Sequence, residues 1–128
     1  MKKLFLVLTV IGLFGSAAFA QKTTRIKFKR GAISAVVSGY LSGYKGEKKY
    51  VIKVRAGQTL RIEQVGGAHS ITVFIQNPNG EDVTDSDASC NNRKEVTPTI
   101  VGDYKIIVVE CQKADEWRGA FRFRVTVR

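Results

Sequence analysis

From residue 22 onward the chain alternates apolar and polar positions with a period of two, the spacing that turns one face of a strand to a core and the other to water. The apolar sets are Ile26 and Phe28; Ile33, Ala35 and Val37; Tyr50, Ile52 and Val54; Leu60 and Ile62; Ile71, Val73 and Ile75; Tyr104, Ile106 and Val108; and Phe121, Phe123, Val125 and Val127. Each set predicts a strand. A further short strand is expected over residues 94–97, closed by Pro98, which cannot donate to a sheet ladder. Turn residues fall between the sets: Arg30-Gly31, Gly43-Tyr44-Lys45-Gly46, Ala56-Gly57, Gly66-Gly67, Asn77-Pro78-Asn79-Gly80 and Val101-Gly102-Asp103.

No helix of ordinary length fits this pattern. About eight short strands, each with one polar face, predict an all-β fold, an antiparallel β-sandwich, with a closed barrel as the alternative. Tyr104, entering the most apolar strand after Gly102-Asp103, is expected to be structural. If the first and last strands pair, Arg25, Lys27 and Lys29 would lie beside Arg122, Arg124 and Arg128 as a cationic stripe suited to a polyanion. The same charges could instead protect sheet edges from adding to one another.

The first twenty residues follow a different rule. Lys2 and Lys3 precede an apolar run over residues 4–13, and Ala18 and Ala20 place small residues before Gln21, the pattern of a secretory signal peptide cut between Ala20 and Gln21. The run is about half of what a spanning helix needs, so no transmembrane segment is expected. Gln21 rather than cysteine at the new terminus speaks against a lipid anchor. The expected product is one domain, residues 21–128, in the periplasm or outside the cell; no linker, repeat or low-complexity tract divides it.

Export changes the reading of the cysteines and of the charge. Cys90 and Cys111 are the only two in the chain, and in an oxidising compartment they are expected to form a disulfide. Lys2 and Lys3 leave with the leader, so 19 basic residues face 11 acidic ones, a net charge of +8. Such a charge ordinarily suggests nucleic acid, but an exported chain meets little of it. The expected partners are therefore an anionic envelope polymer or an acidic cleft on another protein, with no nucleic acid.

Catalytic chemistry has few places to reside. His69 is the single histidine, and beside Ser70 it could serve a serine site only with an orienting carboxylate and an oxyanion hole that the sequence does not supply. Glu81, Asp82, Asp85 and Asp87 form an acidic cluster, and Asp82, Asp85 and Asp87 are the calcium candidates. Their spacing lacks the glycine and closing glutamate of a helix-loop-helix calcium site, so a solvated loop is the expectation. Paired carboxylates for glycoside hydrolysis must flank a cleft, and these share one loop. The chain is expected not to be an enzyme, and to need no cofactor.

Binding has better material. Residues 40–45 carry Tyr40 and Tyr44 around a glycine turn, and residues 112–119 carry Trp117 and Arg118 in a polar loop. Tyrosine, tryptophan and arginine dominate binding energetics because they bury large areas while keeping a polar tip. Tyr44, Lys45, Trp117 and Arg118 are the expected partner-binding residues.

The run RIKFKRGAISAVVSGYLSGYKGEKKYVIKVRAGQTLRIEQV, residues 25–65, is similar to the periplasmic inhibitors of g-type lysozyme. It shares their F-x-[RK]-G start, the S-G-x-x-x-G-Y turn ending at Tyr44, and a G-Q step at Gly57-Gln58; Gly102-Asp103-Tyr104 and the closing strand match as well. The resemblance implies an eight-strand β-sandwich that blocks a lysozyme cleft with the turn tyrosine and two arginines, four apart, in the loop before the last strand. Tyr44 matches the tyrosine. Gln112 and Glu116 stand where the arginines would be, and Arg118, two positions on, is the available substitute. Sandwich domains appended to secreted peptidases share the G-Q and G-x-Y steps and imply another ligand, such as an envelope polysaccharide.

Overall fold

The computed structural model describes residues 22–83, 90–111 and 115–128. The expected leader, with its cleavage point at Ala20 and Gln21, lies outside them, as do Asp85, Asp87 and Gln112. Eight strands form among the described residues: β1 (Thr23–Arg25), β2 (Ser34–Ser42), β3 (Glu47–Val54), β4 (Leu60–Gly67), β5 (Ile71–Gln76), β6 (Arg93–Val96), β7 (Gly102–Glu110) and β8 (Arg118–Val127). They make two four-stranded sheets, ordered β1-β3-β7-β5 and β2-β8-β4-β6. All pairs are antiparallel except β1 with β3. The architecture is an all-β sandwich.

The alternation read from the sequence is what packs the layers together. Tyr50, Ile52 and Val54 of β3, Ile71, Val73 and Ile75 of β5, and Tyr104, Ile106 and Val108 of β7 face Leu41, Leu60, Ile62, Phe121, Phe123 and Val125 from the other sheet, all buried. Between the layers the Tyr50 ring meets Phe123 edge-on, with centroids 5.2 Å apart and planes at 74°, an arrangement that aromatic quadrupoles favour. Tyr104 is buried, and its hydroxyl accepts the Ile100 N–H at 3.0 Å, tying the corner before β7 to its own strand.

Three expectations change. Ile26 is buried and Phe28 packs on the core, yet ladder pairing stops at Arg25 and Val51, so β1 is shorter than its apolar pattern. Ile33 precedes β2 and is exposed. The first and last strands do not pair: β1 lies beside β3, whereas β8 is interior to the other sheet between β2 and β4. Arg25, Lys27 and Lys29 are therefore not joined to Arg122, Arg124 and Arg128 in one stripe. Edge protection also fails as an account of Arg122 and Arg124, because β8 is not an edge.

Candidate functional site

The register brings two connections to one end of the sandwich. Ser42 pairs with Arg118 and Glu47 with Val109, so the β2–β3 turn and the β7–β8 loop cross between the sheets side by side. Hydrogen bonds lock the crossing. The Gly43 N–H donates to the Trp117 carbonyl at 2.9 Å, the Tyr44 N–H to Glu116 Oε1 at 3.0 Å, and the Gly46 N–H to the Gly43 carbonyl at 3.0 Å. Gly43 has φ of 87°, and a Cβ there would run into the Glu116 carboxylate, so only glycine allows this contact.

The turn holds up Tyr44, which keeps 40% of its surface exposed. Its hydroxyl pKa is raised above 10.0, first by desolvation and then by the negative charges of Glu110, Asp115 and Glu116. The phenol consequently stays protonated at neutral pH and can donate a hydrogen bond. Lys45 and Arg118 are exposed beside it.

Trp117 is placed differently from its neighbours. It was expected among the partner-binding residues, but it is only 7% exposed. The His69 ring stacks on it with centroids 4.9 Å apart and planes at 20°. The Trp117 backbone N–H donates to Glu110 Oε1 at 2.9 Å, a contact buried inside the protein. Glu110 is 1% exposed, and its second oxygen has no hydrogen-bond partner. A carboxylate thus occupies the fourth inward position of β7, after Tyr104, Ile106 and Val108. An acidic residue in the apolar phase of a strand was a readable signal, and reading the sequence missed it.

His69 is itself held by Gln64. The Gln64 side-chain amide donates to the carbonyls of His69 at 2.8 Å and Gly66 at 3.1 Å, while its oxygen accepts from the Ile71 N–H at 3.0 Å and from Asn92 at 3.1 Å. With its face on Trp117, the histidine has a structural task that accounts for its place. The base of the β7–β8 loop is fixed covalently: Cys90 and Cys111 form a disulfide with Cα atoms 4.5 Å apart. The Cys90 N–H also donates to the Thr72 hydroxyl at 2.8 Å.

Of the calcium candidates only Asp82 is described. It is exposed and bridges Gln76 as an isolated ladder step. No group of three metal-ligating side chains occurs among the described residues.

No family model and no curated protein matches the sequence. Solved structures do match. Aeromonas hydrophila PliG, a periplasmic inhibitor of g-type lysozyme, superposes with a TM-score of 0.67 at 20% identity, covering 83% of this chain and 96% of that one. This chain has the fold of the PliG inhibitors. Salmonella Typhimurium PliG gives a TM-score of 0.64 at 18% identity, with 85% and 100% covered. The pre-peptidase C-terminal domain of Bacillus anthracis collagenase gives 0.53 at 15% identity, with 85% and 97% covered. Among the described residues, no helix is long and apolar enough to cross a membrane.

Proposed function

We propose that this chain is a periplasmic or secreted, non-catalytic binding protein, cut from its leader between Ala20 and Gln21, and that its Tyr44 end enters the cleft of a lysozyme. The g-type enzymes are the first choice, following the PliG likeness. The observation that carries the reading is the bracing of Tyr44: a half-exposed phenol on a turn whose backbone is bonded to Glu116 and Trp117 of the neighbouring loop. A preorganised aromatic side chain spends little conformational freedom on binding, which is what an anchor in a partner's pocket requires.

The roles divide by exposure. Tyr44 inserts and donates its O–H to an acid group of the cleft, Lys45 and Arg118 contact charges around it, and Trp117 supports the turn from beneath. Salt screens charges more than about 8 Å apart, so the net positive charge of the whole chain weighs less than the contacts at the Tyr44 end. The test is inhibition of g-, c- and i-type lysozymes by the secreted form, together with Tyr44→Ala and Arg118→Ala. Loss of the anchor should weaken inhibition by at least about thirtyfold, and loss of the arginine by roughly tenfold. Absence of inhibition in every lysozyme class would end the proposal.

A further inference from the structure

The outer face of the β2-β8-β4-β6 sheet concentrates arginine. Arg61, Arg93, Arg118, Arg122 and Arg124 lie on it, five of the chain's nine arginines, with Glu63 and Glu95 the acidic residues among them. None of the described lysines shares that face. Lys49, Lys53 and Lys105 lie outward on the opposite sheet, and Lys94 of β6 is buried. The face thus carries three positive charges in excess, all supplied by guanidinium. Arg25 is the one arginine within the strands of that opposite sheet, and Asp103 neutralises it. Arginine differs from lysine in its planar fork of donors, which fits a carboxylate or sulfate with two parallel hydrogen bonds.

Several details make the face a fitted surface. Arg118 and Arg122 have no carboxylate partner among the described residues, and Arg124 reaches Glu63 at 3.6 Å. Arg122 lies across Gly66, where a Cβ would come within 2.7 Å of its Nε and of a terminal guanidinium nitrogen. The β4 bulge between Gln64 and Gly66 supplies this bare backbone, so the guanidinium is seated on the sheet. On β2, Ser42 stands opposite Arg118 and Ser38 opposite Arg122, with Tyr40 between them, 54% exposed and opposite Ala120. From Arg118 to Arg124 the row extends about 20 Å at the usual strand rise.

We propose that this face, which shares only Arg118 with the Tyr44 end, binds a linear acidic polysaccharide. The guanidinium groups take its acid groups, the serine hydroxyls bond its hydroxyls, and the Tyr40 ring covers the C–H face of a sugar. Charge and shape together favour this occupant: an extended cationic row with hydroxyls and one open aromatic ring suits an extended polymer of acidic sugars.

The experiment is calorimetric titration of the protein with polygalacturonate, with neutral dextran and a single-stranded oligonucleotide as comparisons, over a range of salt. Polygalacturonate should bind and dextran should not. Arg122→Gln/Arg124→Gln should weaken binding by roughly tenfold and flatten its salt dependence by about two ion contacts. Lys49→Gln/Lys53→Gln, with the same charge change on the other sheet, should leave binding within about twofold of the parent. Tyr40→Ala should weaken polygalacturonate binding severalfold. If the arginine pair fails to fold, Arg122→Lys keeps the charge and loses the fork, and should still weaken binding. The proposal is overturned by no binding of polygalacturonate, by equal losses from both charge pairs, by a silent Tyr40→Ala, or by tighter binding of the oligonucleotide.

Discussion

Glu116 stands where the inhibitor pattern has an arginine, and in this chain its carboxylate turns inward to accept the Tyr44 N–H at 3.0 Å. That bond stiffens the tyrosine's own turn. Glu116→Ala should weaken inhibition severalfold and destabilise the fold by about 1 kcal/mol, while Glu116→Gln, which keeps an acceptor oxygen, should retain most of both. Inhibition assays beside urea melts separate the two effects. The exposure of Tyr44 was legible, because a tyrosine between Gly43 and Lys45 in a turn has little to bury it. Trp117 was not, since a tryptophan in a polar loop looks the same whether it points outward or lies under His69. Only the fold brings residues 69 and 117 together.

At the scale of elements, β1 shows how a short edge strand is kept in place. It has three residues and pairs with β3 alone, but Arg25 reaches across to Asp103 of β7 with two hydrogen bonds of 3.0 and 2.9 Å. The bond with Arg25 holds the Asp103 carboxyl below its ordinary 3.8, against some opposing desolvation. A carboxyl depressed in the folded state stabilises the protein above its unfolded pKa, and that contribution is lost as pH falls through the folded value. Asp103→Asn should therefore lower stability slightly at pH 6 and give a shallower fall below pH ~4 than the parent, as urea midpoints across the range would show. An equal fall in parent and variant would remove the pair from the account. Arg25 was read from the sequence as one of a cationic stripe, but the partner that neutralises it lies 78 residues away.

Across the whole molecule, the disulfide joins the segment after β5 to the end of β7, over a sequence separation of 21 residues. Closing a loop of that size restricts the unfolded chain by about 3 kcal/mol, a large share of a small domain's stability. Reduction, or Cys90→Ala/Cys111→Ala, should lower unfolding free energy by roughly that amount, measured by denaturant titration with and without a thiol reductant. Inhibition should fall as well, because the bridge anchors the base of the loop carrying Glu116 and Trp117. Retained inhibition at full potency in the reduced form would mean that the hydrogen bonds of the crossing hold the site unaided. Charge also resolves only at this scale. The net positive value is a property of composition, but the gathering of five arginines on the outer face of one sheet is a property of register.

The sequence by itself determined where the strands and turns fall and most of the inward residues, because the period of two is local and burial selects for it over a few residues. It also determined the cysteine pair, since two cysteines leave one pairing. Which strands lie side by side was decided by the tertiary structure, and with it the fate of every long-range expectation. β8 became an interior strand, the stripe shared with β1 dissolved, and the Tyr44 turn met the β7–β8 loop at one end. The physical reason is that alternation says which face of a strand is buried and nothing about its neighbour. Neighbours are chosen by the packing of whole layers, in which residues as distant as Gly43 and Trp117, or Gly66 and Arg122, come into contact.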